Sequence, residues 1–308
     1  MSKKFNWSTY EVPRRPPAAA PSDAGENANS VRPSRPPAPP PTFTLRHLKQ
    51  GATGAVKTWF SAPVLLDYLL LRGGLRGIGE KSFPSTDGVL DPLDLTLPHS
   101  ASSASSASSA TSPPCRILEL GGGTGFLSLG LALSLNAEST RVQLVCTDGD
   151  KATLKNMRHN VERQPAETRV TKTVRVAPLE WGGDLGGATF ARSLRAQFGA
   201  GEGEDPVRRL SHLIAADVHY GETTMEPLSA VVAAVKLRNP EVAVVLMLKE
   251  RGSKISTNIA NLKVQIEAKV GSGLEFEDAS TRSELEGFSV RLRDVLHEDL
   301  SKMKIIEC

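Results

Sequence analysis

Residues 119 to 125 read Glu-Leu-Gly-Gly-Gly-Thr-Gly, between a short apolar run that includes Ile117 and Leu118 and an apolar stretch that starts at Phe126. Gly121, Gly123 and Gly125 stand at alternate positions. Without a Cβ at these positions, a ligand can lie directly on the backbone of a tight turn. The dinucleotide fingerprint needs Gly at relative positions one, three and six, but the sixth position counted from Gly121 is Phe126. A phosphate loop needs Gly-Lys followed by Ser or Thr, and no lysine follows here. The turn therefore predicts a nucleoside-like ligand held without a phosphate clamp.

Two further segments suit the same ligand. Asp148 closes the run Val-Gln-Leu-Val-Cys-Thr-Asp, and a carboxylate at a strand tip can accept hydrogen bonds from both hydroxyls of a ribose. Glu180 and Trp181 follow the next apolar run. There an acid or a backbone group can meet an exocyclic amine, and an aromatic ring can border a base. In an open α/β sheet, ligands bind at the carboxyl ends of strands near the switch in strand order. Taken singly, the glycine turn, an Asp in a turn and a core Trp are ordinary. Their order and spacing make the pattern specific.

The elements that must position these residues alternate. Short apolar runs predict strands at 116–120, 142–147, 173–177, 213–216 and 242–248. Between them, helical spacing predicts helices at 151–163 (Leu154, Met157 and Val161 on one face, Asp150 as cap), 225–238 (Leu228, Val231, Val232, Val235) and 254–268 (Ile255, Ile259, Leu262, Ile266). Leu-Glu-Phe-Glu-Asp-Ala-Ser from 274 and the segment 302–308 offer two more strands. An earlier helix is expected from Ser61, with Pro63 in its first turn and Gly73 and Gly74 after it. This alternation predicts an α/β fold with a mostly parallel, doubly wound sheet and helices on both faces.

Outside this frame, residues 12–42 are rich in Pro, Ala and Arg with almost nothing to bury. A disordered tail is expected over 1–42, with the folded domain running from 43 to 308. Its P-x-x-P-like spacing beside arginines would suit a Pro-recognition domain, although such spacing arises readily in any Pro-rich segment. A low-complexity loop is expected at 77–114, where Ser-Ala-Ser repeats occur, and a second insertion, with one short helix in it, at 183–209. The net charge of +3 divides into an excess of +5 in residues 1–50 and −2 in the rest. A nearly neutral body argues against a nucleic-acid-binding domain, while the basic tail can steer toward acidic partners. The three cysteines lack C-x-x-C spacing, and the histidines show no metal-ligand spacing. With no signal-peptide core and no membrane-length apolar run, a cytoplasmic protein, with nuclear residence as a second setting, is expected.

With these residues in view, Glu-Leu-Gly-Gly-Gly-Thr-Gly, Cys-Thr-Asp-Gly-Asp and Leu-Glu-Trp-Gly-Gly resemble the successive S-adenosylmethionine motifs of seven-stranded, Rossmann-like class I methyltransferases. Ala-Ala-Asp-Val-His-Tyr-Gly-Glu from 215 and Gly-Ala-Thr-Gly-Ala-Val-Lys-Thr-Trp-Phe-Ser-Ala-Pro from 51 narrow the resemblance to methyltransferase family 16, whose characterised members are mostly protein-lysine methyltransferases. The resemblance covers roughly residues 51 to 251. It implies S-adenosylmethionine as cofactor, contacted by Trp59, Glu119, Gly121, Gly123, Gly125, Asp148, Trp181 and Asp217. It also implies an acceptor motif in which Asp217 and Tyr220 meet a lysine amine of a protein substrate, of which translation factors and chaperones are the family's usual types. The family often has Asp near the start of its fourth strand, where this chain has His212.

Two other enzyme readings and one non-enzymatic reading compete. Nucleic-acid adenine methylases of this fold carry an Asp/Asn-Pro-Pro-aromatic segment after the fourth strand, and Asp-Val-His-Tyr lacks both prolines. A small-molecule methyltransferase remains open, because cofactor motifs do not name the acceptor. A non-catalytic scaffold built on the Pro-rich tail is the third. In plainer roles, Asp217 would cap a loop, Tyr220 would pack, and His219 would be a surface loop residue.

Overall fold

The computed structural model describes residues 5–12, 42–48, 61–71, 114–137, 142–182, 188–218, 222–249, 255–271, 274, 276–278 and 303–308. Strand β3 (Cys115–Leu120) is the middle one of five parallel strands, and every residue in it is buried. Its neighbours on one side are β4 (Val142–Asp148) and β5 (Val174–Pro178). On the other side are β6 (His212–Ala216), β7 (Ala243–Lys249), β9 (Met303–Glu307) and β8 (Glu277–Asp278). The order is β5-β4-β3-β6-β7-β9-β8. The first five strands in this order run parallel. Strand β9 pairs antiparallel with both β7 and β8.

The chain steps outward from β3 to β5 and then crosses back to β6 on the far side of β3. The switch in strand order therefore lies between β3 and β6, at the centre of the sheet. Both faces are covered, as a parallel sheet of nearly continuous apolar strands requires. Ile117, Leu144, Ile214 and Val245 face a core shared with α1 (Ser61–Leu71), α2 (Phe126–Ala137) and α3 (Lys151–Glu162). Leu118, Val145, Leu213 and Val244 face a second core with α5 (Ala188–Phe198), α6 (Glu222–Arg238) and α7 (Ile255–Val270). The period-two alternation of strand side chains produces this division. A four-residue helix, α4 (Val170–Thr173), leads into β5. The expected Asp150 cap is present, its carboxylate accepting from Thr153 N. The apolar faces expected on α3 and α6 are buried, as are Ile259, Leu262 and Ile266 on α7. Among the described residues no helix is long and apolar enough to cross a membrane.

Two expectations about organisation change. Residues 5–11, assigned by sequence to the tail, form β1 (Phe5–Glu11), antiparallel to β2 (Thr42–Leu48). Tyr10 and Phe43 of this hairpin pack on Phe126, with ring centroids 4.8 and 5.2 Å from it, and Val12, Phe43 and Leu45 are buried. Apolar side chains at alternate positions gain a core to face, and this draws the segment out of the tail. Residues 13–41 and 77–113, where the rest of the tail and nearly all of the low-complexity loop were expected, lie outside the described residues. The stretch 183–209, expected as an insertion with one short helix, contributes that helix as α5. Its Phe190, Leu194 and Phe198 recur every four residues and are buried, which makes it the crossover helix from β5 to β6.

Helices α1 and α2 pack so closely that a Cβ on Gly130 would stand 2.4 Å from Cδ2 of Leu66. Gly130→Val is expected to cost about 1–3 kcal/mol by overpacking. Combined with Leu66→Ala, its cost should be less than the sum of the two single substitutions, because they share one space. Urea unfolding of the two single variants and the double variant measures both numbers.

Candidate functional site

The residues singled out by sequence gather at the carboxyl ends of the central strands. Glu119 is the penultimate residue of β3, the glycine turn follows β3, Asp148 ends β4, Trp181 lies just past β5, and Asp217 follows β6. The turn is held from several directions. Gly122 N donates to Thr147 O at 2.7 Å, Gly125 N to Gly122 O at 2.8 Å, and Leu129 N to Gly125 O at 3.0 Å. Gly121, Gly123 and Gly125 have φ of +62°, +58° and +83°, a region that L side chains rarely adopt. Gly121 also lacks space for a side chain: a Cβ there would lie 2.7 Å from Cγ1 of Val218 and 3.5 Å from the Trp181 ring. The turn after β3, the Trp181 ring after β5 and the residue after Asp217 thus meet at one point.

Gly122, which the alternate-glycine reading passed over, is more confined than Gly121 or Gly125. Its Cβ would stand 2.2 Å from Sγ of Cys146 and 3.1 Å from Cε of Met157. Its requirement is close approach, and no short sequence pattern announces it, because the crowding atoms come from β4 and α3.

Glu119 is committed to the turn. Its Oε2 accepts from Ser128 N at 3.2 Å, from the Ser128 hydroxyl, and from the Cys146 thiol at 3.0 Å. Ser128 is the third residue of α2, so the carboxyl serves one of the N–H groups a helix start leaves without a helical partner. Expected as a cofactor contact, Glu119 makes its described bonds to the protein and acts as a brace. Burial is the main cause that pushes its pKa up from an ordinary 4.5 to about 7. The Ser128 and Cys146 hydrogen bonds oppose the shift, and the Asp148 charge adds to it. Burial likewise raises the Cys146 thiol, as do the neighbouring Glu119 carboxyl and its hydrogen bond.

Asp148 is half-buried. Its Oδ2 accepts from Gly123 N at 3.2 Å and its Oδ1 from Asp150 N at 3.0 Å. Burial raises its pKa, and the backbone hydrogen bonds oppose that rise. A carboxylate offers about four lone-pair sites, so these two bonds leave capacity for a diol. Trp181 is half-buried and Glu180 exposed. Asp217 is buried, with φ +57°, and its N–H donates to Met247 O at 2.7 Å. A non-glycine residue in the left-handed region is uncommon, and such strain collects at functional sites. Trp59 and Tyr220, the remaining expected site residues, lie outside the described residues.

The sheet order, the switch point and a glycine turn without a phosphate-binding lysine define a Rossmann-like class I methyltransferase fold. Residues 45–195, just under half of the chain, match the model of the family described as lysine methyltransferase, so the resemblance carried by the motifs is borne out over that stretch. No curated protein matches the chain by sequence. Among solved structures, the chain is similar to a human methyltransferase 10 domain containing protein at 12% identity, covering 66% of this chain and 74% of that one, TM-score 0.38. It is similar to the N-terminal domain of human METTL16 in complex with SAH at 10% identity, covering 63% and 60%, TM-score 0.38. The glycopeptide N-methyltransferase MtfA complexed with S-adenosyl-L-methionine matches at 16% identity over 44% and 45%, TM-score 0.29.

S-adenosylmethionine is the cofactor of this fold and family, and the residues fit it. The turn presents bare backbone where a Cβ would intrude, Asp148 offers acceptors for a ribose, and the Trp181 ring borders the same turn.

Two outcomes follow from the site. Gly122→Ala should destabilise the fold by about 1–3 kcal/mol through overpacking and abolish S-adenosylhomocysteine binding. Adding Cys146→Ala should recover part of both, as read by thermal unfolding and calorimetric titration. The second concerns pH. The folded protein keeps Glu119 protonated up to about 7, whereas the unfolded chain releases that proton near 4.5. The folded state therefore binds more protons between these values. The stability due to this group is complete below about 4.5 and is lost as pH rises through about 7. Glu119→Gln should flatten that decline by on the order of 3 kcal/mol between acid and neutral pH, measured by urea unfolding at both.

Proposed function

We propose that this protein is an S-adenosylmethionine-dependent methyltransferase whose acceptor is a lysine side chain of another protein. The observation that carries the reading is Asp217, a buried carboxylate in a left-handed conformation at the end of β6. The residue after it, Val218, packs against the glycine turn. When bound, the cofactor supplies an electrophilic methyl group on a sulfonium.

The chain's own residues then have three tasks. The turn from Gly121 to Gly125, Asp148 and Trp181 hold and align the cofactor, and alignment is most of what an in-line displacement asks of an enzyme. The acceptor amine must arrive without its proton, because only the free amine has a lone pair to donate. A site with little water favours that neutral form. Asp217 accepts hydrogen bonds from the amine and so fixes the direction of its lone pair. Tyr220 joins this reading through the resemblance alone, as an aromatic border to the acceptor channel, and Trp59 likewise as a cofactor neighbour. Translation factors and chaperones are the first substrates to try. A cytoplasmic or nuclear setting goes with this reading, and all three cysteines are free and buried.

The test is methyl transfer from labelled S-adenosylmethionine into a cell extract, comparing the protein with its Asp217→Asn variant. Label in one or a few protein bands is expected, reduced by about a hundredfold or more in the variant, which loses the carboxylate charge and gains a donor in place of one acceptor oxygen at the reacting group. S-adenosylhomocysteine should still bind the variant, because the glycine turn, Asp148 and Trp181 are unaltered. Label confined to small molecules would overturn the lysine reading and leave a methyltransferase of another acceptor class. Cofactor binding with no transfer to any fraction would favour a scaffold.

A further inference from the structure

Helix α3 turns two asparagines, Asn156 and Asn160, toward the N-terminal hairpin, one helical turn apart on one face. Both are buried. Between them they hold the backbone of Arg46 in β2 much as a neighbouring strand would. Arg46 N donates to Asn160 Oδ1 at 2.8 Å, and Arg46 O accepts from Asn156 Nδ2 at 2.8 Å and Asn160 Nδ2 at 3.1 Å. Asn156 Oδ1 also accepts from Arg46 Nε at 2.8 Å.

Asn160 does one thing more. Its Nδ2 donates to Thr124 O at 2.9 Å, in the middle of the glycine turn. Its amide thus uses both of its N–H donors, one toward each partner. Thr124 is itself buried. A second contact links the same two pieces: the Tyr10 and Phe43 rings pack on Phe126, the residue that follows Gly125. The hairpin is therefore linked to the centre of the turn through Asn160 and packs directly on its exit.

We propose that Asn160 is a positioning residue for cofactor retention, joining the hairpin to the glycine turn so that the turn keeps its ligand-ready shape only while the hairpin is docked. The inference rests on the cofactor reading given above and extends it to a residue that does not line the site. Asn156 supplies the control, because it holds the same Arg46 without a bond to Thr124 among those found. Coupling of this kind is reciprocal: a ligand that steadies the turn must also steady β2.

The experiment is amide hydrogen exchange on the full chain, with and without saturating S-adenosylhomocysteine, paired with calorimetric titration of the same probe. In ligand-free protein, Asn160→Ala is expected to speed exchange in both 42–48 and 121–126, whereas Asn156→Ala should speed it in 42–48 alone. Ligand should slow exchange in 42–48 of the unaltered protein and of Asn156→Ala, but not of Asn160→Ala. Affinity for the probe should fall by about tenfold in Asn160→Ala and stay within about twofold in Asn156→Ala. Should Asn160→Ala fail to fold, Asn160→Asp keeps an acceptor for Arg46 N, lacks the donor to Thr124, and should give the same pattern. Equal losses in the two positions, or an unchanged turn in the Asn160 variants, would overturn the inference alone. Absence of binding by the unaltered protein would overturn the cofactor reading and the inference with it.

Discussion

At the end of β3 the chain must pass from an extended strand into a helix within five residues, and it does so around a carboxyl group enclosed by protein. Glu119 accepts from Ser128 in the first turn of α2 and from Cys146 in β4, so one side chain joins the central strand, the following helix and the neighbouring strand. Burying such a group is costly unless it is hydrogen-bonded, and the upward shift of its pKa shows how burial disfavours the charged form. Gly122 lies directly over this assembly. The absence of a Cβ at that point lets the turn close down on the Cys146 sulfur. The ligand-facing surface of the turn is shaped by what lies beneath it.

The sheet supplies the remaining geometry. Because the chain winds outward to β5 and returns to β6 on the opposite side of β3, the loops after β3 and β6 diverge to opposite faces and leave a crevice. Asp148, Trp181 and Asp217 come from three different strands and share no sequence neighbourhood. They share an end of one sheet. The return requires a helix on the second face, and α5 provides it.

Much of this was legible before any coordinates. Continuous apolar runs marked the five parallel strands to within a residue or so, and Asp150 before Leu154 marked the start of α3. The glycine turn excluded phosphate-binding patterns by its own spacing. What could not be read was non-local. Residues 5–11 and 42–48 pair across some thirty residues of Pro-rich chain, and neither segment has a local signal strong enough to predict the other. Asn156 and Asn160 resemble solvent-facing polar residues on an amphipathic helix, yet they are buried because a strand backbone docks on that face. Gly122 resembled one spare glycine among four, since its crowding comes from Cys146 and Met157. Glu119 was placed in the right location and given a ligand contact; its brace became visible only with Ser128 and Cys146 in position. The short helix expected in 183–209 is α5; its place as the crossover from β5 to β6 depends on the strand order and has no local signal.

The position of β9 bears on how the molecule is made. It lies between β7 and β8, although it follows both in the chain. During synthesis, strands β3 to β7 can assemble as they emerge, each parallel pair closed by a helix already present. Strand β8 is different: Glu277 and Asp278 pair with Glu307 and Ile306 of β9, about thirty residues further on. Until Met303–Glu307 has left the ribosome, the outer edge of β7 remains an open ladder of N–H and C=O groups. Such an edge invites pairing with other chains, so the aggregation hazard of this sheet is concentrated in the interval before β9 arrives.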